Sequence, residues 1–125
     1  MYHGIILDKE FKDSQFVNTF RIFNKRKSTD SNWILFGIEV EDQKLSETIN
    51  TIQENLKEDQ PFYAHLYNNK KLTVIFKKKI FYITTDVSTW NEFVDYGKSL
   101  GIPEEQLKVF PIRFEDEENY FNLKK

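Results

Sequence analysis

Three apolar runs of strand length follow one another between Phe62 and Thr85, each parted from the next by a turn signal, and they commit the chain to an antiparallel sheet. They are Phe62 to Tyr67, Leu72 to Phe76 and Ile80 to Thr85, with Asn68-Asn69-Lys70-Lys71 and Lys77-Lys78-Lys79 at the turns. In the first run, period-2 alternation puts Phe62, Ala64 and Leu66 on one face and Tyr63, His65 and Tyr67 on the other. One face meets a core. The other aligns two phenols and an imidazole, the only place where geometry gathers chemically versatile side chains.

The rest of the chain supplies what the sheet packs against. Tyr2 to Leu7 reads as an opening strand, followed by a polar stretch from Asp8 to Asn18 that Phe11, Phe16 and Val17 pin down. Thr19 to Lys27 and Trp33 to Val40 form a hairpin across the turn-rich residues 28–32, with Ile34, Phe36, Ile38 and Val40 facing a core and Gly37 marking a bulge or a close backbone approach. From Asp42, an N-cap candidate, to about Lys57 the period turns helical, with Leu45, Ile49, Ile52 and Leu56 on one stripe. Thr89-Trp90-Asn91-Glu92 has capping-box spacing. The helix it opens carries Trp90, Phe93, Val94, Gly97 and Leu100 on one face and stops at Gly101-Ile102-Pro103. Glu104 to Leu107 adds one turn, and Lys108 to Phe114 reads as an edge strand interrupted by Pro111.

This order predicts an α+β fold: an antiparallel sheet with two main helices on one face, in a ferredoxin-like split β-α-β arrangement with an added N-terminal strand and hairpin. A single domain over residues 1–114 is expected, followed by an acidic, frayed tail over residues 115–125. At 125 residues such a domain buries about two-thirds of its unfolded surface, and aromatics at 16%, 12 of them Phe, fill a core with few side chains.

Composition excludes several kinds of function. Without cysteine there are no disulfides, thiolate ligands or thiol nucleophiles, and His3 and His65 are the only histidines, so neither a metal nor a cofactor is expected. A net charge of −2 argues against a protein that grips nucleic acid through an overall basic field. The first residues lack the basic lead and long apolar run of a secretory signal, no segment nears the ~20 apolar residues of a membrane span, and a cytoplasmic protein with no membrane partner is the expectation. There is no phosphate loop, nucleophile elbow or His-Glu-x-x-His helix.

What remains is a small interaction domain, without evident catalytic machinery, that binds a protein partner or a second copy of itself through an exposed aromatic sheet face or edge. The face is expected to carry Tyr63, His65 and Tyr67, extended by Trp33. Two alternatives use other residues or another chemistry. Arg21, Lys25, Arg26 and Lys27 on the hairpin, with Lys77, Lys78 and Lys79 at a turn, are ingredients of a single-stranded nucleic-acid surface. A small enzyme would use His65 as acid and base.

Overall fold

The alternating apolar pattern is realised in six strands: β1 (Tyr2–Leu7), β2 (Arg21–Lys27), β3 (Ile34–Val40), β4 (Tyr63–Tyr67), β5 (Lys71–Phe76) and β6 (Ile80–Thr84). In the computed structural model, which describes residues 1–28 and 32–122, they form one sheet in the order β2-β3-β1-β4-β5-β6 with every neighbouring pair antiparallel. The helices are α1 (Leu45–Asn55), α2 (Asn91–Ser99) and a short α3 (Glu117–Phe121), accompanied by several 3-10 turns. The β2–β3 hairpin forms as expected; residues 29–31 of its loop lie outside the described residues, as do 123–125.

The opening strand is the middle of the sheet, where an added strand was expected. β1 is antiparallel to both β3 and β4, so those two run the same way, and α1 crosses between them over β1. One split strand-helix-strand unit therefore exists. The second, which a ferredoxin-like arrangement requires, does not follow: β4, β5 and β6 make a meander, and residues 108–113 are irregular backbone, with Phe110–Pro111 cis, where an edge strand over Lys108 to Phe114 was expected.

The helices also lie on opposite faces of the sheet, which corrects the expectation that they share one. Ile49, Ile52 and Leu56 pack with Ile6, Ile38, Val40, Ala64, Leu66 and Ile75. Phe93, Trp90 and Ile102 pack instead with Ile5, Tyr67, Val74, Phe76, Phe81 and Ile83. The physical reason is in the strands. β1, β4 and β5 present large apolar side chains on both sides, the pattern of strands buried on two faces, so each side needs a cover.

Local signals fared unevenly. Gly101 has φ +92°, Gly101 N–H donates to Lys98 O (3.0 Å) and Ile102 N–H to Gly97 O (3.1 Å), so α2 ends in the left-handed glycine motif its sequence announces. The two N-terminal caps do not form. Asp42 pairs with the Met1 ammonium and opens a 3-10 turn ahead of α1, and the Thr89 hydroxyl donates to Asp86 O (2.7 Å) instead of capping α2. The acidic stretch expected to fray is folded. It runs through a 3-10 turn at Phe114–Asp116 into α3, whose Tyr120 and Phe121 are buried against the sheet.

Candidate functional site

Tyr63, His65 and Tyr67 do share a face, but the chain's own C-terminal segment covers it. Tyr67 is fully buried and His65 is 5% exposed. The Tyr67 hydroxyl donates to Glu117 Oε2 of α3, and the same oxygen lies 2.6 Å from His3 Nδ1. Pro111 O lies 2.9 Å from His65 Nε2. A carbonyl only accepts, so Nε2 carries the proton and His65 is the neutral Nε2–H tautomer. Burial holds its pKa at about 4, against the smaller opposing effect of that hydrogen bond. The exposed aromatic sheet face expected from sequence is therefore closed at Tyr67 and His65. Only Tyr63 and Trp33 keep part of their surface in solvent.

The opening that remains is a cleft at the end of the sheet where β1 finishes and β3 and β4 begin. It has a volume of about 390 Å³. Its walls come from Ile5 and Leu7 of β1, Trp33 and Leu35 beside β3, Phe62, Tyr63 and His65 of the β4 entry, the segment from Gly101 to Phe110, and Tyr120 of α3. The Tyr63 hydroxyl donates to Gln106 O (2.6 Å) and holds that segment against the sheet. Trp33 meets Phe62 edge to face, ring centroids 5.6 Å apart.

Glu10 also lines this cleft. It follows β1 in a 3-10 turn, Asp8–Glu10, that a bridge between Phe11 and Leu56 and the bond from Lys57 N to Glu10 O (2.9 Å) clamp to the end of α1. Its side chain is fully buried. Oε2 accepts from Leu7 N at 3.0 Å, while Oε1 has no partner. Desolvation raises its pKa well above the usual carboxylate range, outweighing the Leu7 hydrogen bond that lowers it, and Asp8 adds to the rise. The carboxyl in turn helps to raise the Tyr63 and Tyr120 hydroxyls, after their own burial, which places all three in one neighbourhood.

Among the described residues, Glu10, His65 and Thr73 are the buried polar side chains, and two of the three line this cleft. Wider hollows of about 450 Å³ beside Met1 and about 590 Å³ beside α2 have none of them in their walls. Glu10 escaped the sequence reading because one glutamate in a polar stretch looks solvated; its position between Leu7 and Phe11, both apolar, was the available signal. Tyr120 was hidden by the acidic run before it, although an aromatic pair, Tyr120-Phe121, is itself a sign of anchoring.

The basic residues do not converge. Arg21, Lys25, Arg26 and Lys27 lie on edge strand β2, and Lys77, Lys78 and Lys79 lie at the β5–β6 turn, with three strands between β2 and β5 and a separation on the order of 20 Å. Arg26 is turned inward with its guanidinium 4.5 Å from the Tyr120 ring centroid, and Lys77 Nζ donates to Gln53 O (3.1 Å) and Glu54 O (2.8 Å). Among the described residues no group of three or more His, Cys, Asp or Glu is placed to hold a metal, and no helix is long and apolar enough to cross a membrane. In comparisons by sequence and by structure, no family model, no curated protein and no solved structure matches the chain. The functional reading accordingly stands on the cleft.

Proposed function

We propose that this chain is a binding domain that holds a small, largely apolar molecule in the cleft at the sheet end, and that it does so without catalysis. The observation that carries this reading is the buried Glu10 carboxyl in an apolar wall with one oxygen unpartnered. A polar group left unsatisfied in such a place costs about 1–3 kcal/mol, and a ligand that satisfies it regains that amount. A volume of about 390 Å³ is within the usual range for small-molecule pockets, and aromatic walls with one or two fixed polar groups are their usual composition. Binding is favoured over acid-base chemistry because the polar tips are already engaged: His65 Nε2–H on Pro111 O, and the Tyr63 hydroxyl on Gln106 O.

The test uses benzyl alcohol as the probe, titrated into the uniformly labelled protein and followed by backbone amide shifts. About eight non-hydrogen atoms at about 0.5 kcal/mol each give a Kd on the order of 1 mM. The shifts should cluster on Leu7, Glu10, Leu35, Tyr63 and Gln106 and saturate. Shifts that stay absent to tens of millimolar, or that scatter over the surface, overturn the reading.

A further inference from the structure

Resting on that reading, the choice of ligand class follows from what the cleft offers by way of charge. Rings of Trp33, Phe62, Tyr63, Phe110 and Tyr120 stand in the walls, and ring faces carry negative potential. Among the described residues two buried side-chain atoms lack a hydrogen-bond partner, Glu10 Oε1 and Arg26 Nε, and of these only Glu10, an acid, lines the cleft. An anionic ligand would meet those ring faces with repulsion. Arg26 lies against the Tyr120 ring, and Asp8, which adds to the rise at Glu10 after desolvation, carries a like charge. A neutral hydrogen-bond acceptor would satisfy Glu10 alone. An organic cation satisfies the carboxyl and the rings together.

We propose that the cleft takes a small aromatic amine in its protonated form, with the ammonium against Glu10 Oε1 and the aromatic body among Trp33, Tyr63, Phe110 and Tyr120. In the empty cleft burial keeps the Glu10 proton in place. The incoming ammonium displaces it to solvent, so a carboxylate-ammonium pair forms and up to one proton is released per ligand bound.

The groups facing Glu10 leave the titration to it. Asp8 of the same turn raises its pKa, Tyr63 of β4 and Tyr120 of α3 are held protonated by burial, and His65 stays neutral above about pH 4. Lys108 is the exposed cation in the wall. Affinity for the amine therefore rises with pH above the ordinary carboxylate range, by up to tenfold per pH unit while Glu10 is protonated in the free protein.

Benzylamine, benzyl alcohol and benzoate have the same ring and differ in the charge of the head group. With the full chain at pH 7, benzylamine should bind at least tenfold more tightly than benzyl alcohol, and benzoate not at all. Calorimetry in two buffers of different ionisation enthalpy should show proton release with the amine and none with the alcohol. Glu10→Gln should bring benzylamine to the level of benzyl alcohol. Benzyl alcohol binding as tightly as benzylamine, or benzoate binding more tightly, overturns the amine proposal while leaving a binding cleft. Failure of all three ligands removes the cleft reading and this proposal with it. The comparison of ligands and the proton count are made on the native chain, so they decide the matter even if Glu10→Gln does not fold.

Discussion

Two buried groups set opposite pH limits on this protein, and both line the same cleft. His65 is kept neutral in the folded state down to about pH 4, while in the unfolded chain it protonates near 6.5. Between these values the unfolded state binds more protons, so stability is lost as pH falls, by about 3 kcal/mol across the interval. Glu10 works the other way. Its folded pKa lies well above the ordinary 4.5, so the folded state binds more protons once pH exceeds 4.5, and stability falls as pH rises from there. His65→Gln keeps a donor for Pro111 O and removes the titration, so urea midpoints measured from pH 7 to pH 4 should decline less than in the parent. Glu10→Gln should flatten the other limb, making the variant gain on the parent between pH 5 and pH 8. A parent and a His65→Gln variant with parallel acid limbs would show that the imidazole is hydrated rather than buried.

At the scale of elements, what is local was legible in the sequence and what is relational was not. Strand alternation gave the strands up to Thr84, the stripe of Ile49, Ile52 and Leu56 gave α1, and Gly101 gave the end of α2, because each signal lies within a few residues of its consequence. Which face a helix covers depends on how many strand faces are apolar. Val74 and Ile75 are adjacent and both fully buried, so the sheet requires a cover on each side, which two amphipathic helix stripes do not by themselves reveal. The candidate site is relational too: Tyr63 and His65 lie on a legible strand, but the cleft exists only because residues 101–110 and α3 pack over them. Gly37 shows the fit of that return. A Cβ there would lie 2.7 Å from Phe121 Cζ and from Phe23 Cζ, and β2 bulges between Ile22 and Asn24 opposite it. The attachment of α3 rests on Glu117, which takes the Tyr67 hydroxyl and lies beside His3, itself between Phe23 and Phe114 with ring centroids 4.3 and 4.2 Å away. Tyr67→Phe removes one bond to a carboxylate, about 1.5–3 kcal/mol, without opening a cavity. Amide exchange at Glu117–Phe121 should quicken while the β1–β3 amides stay protected. Equal acceleration in both would mean that α3 and the sheet open together.

For the molecule as a whole, the C-terminal segment decides whether this is a closed domain or an adhesive one. The sheet has two free edges. β2 is charged by the exposed Arg21, Lys25 and Lys27, which discourages pairing, while β6 shows Tyr82, 72% exposed. Its faces are closed by α1 on one side, and by α2, residues 101–112 and α3 on the other. Removing residues 113–125 would strip Tyr120 and Phe121 from the second face, at about 1.5–3 kcal/mol for each aromatic, and would uncover Phe23, Leu35 and Tyr67. The loss, about 3–6 kcal/mol, is comparable with the whole stability of a domain this size. A shortened chain that still folds would present the aromatic sheet face that the sequence alone suggests, and such a face is a pairing surface. The shortened chain should therefore bind a hydrophobic dye and show a scattering mass that grows with concentration, and the full chain should do neither. A full chain that dimerises at micromolar concentration, with a shortened chain no more adhesive than it, would locate self-association at the β6 edge instead of the covered face.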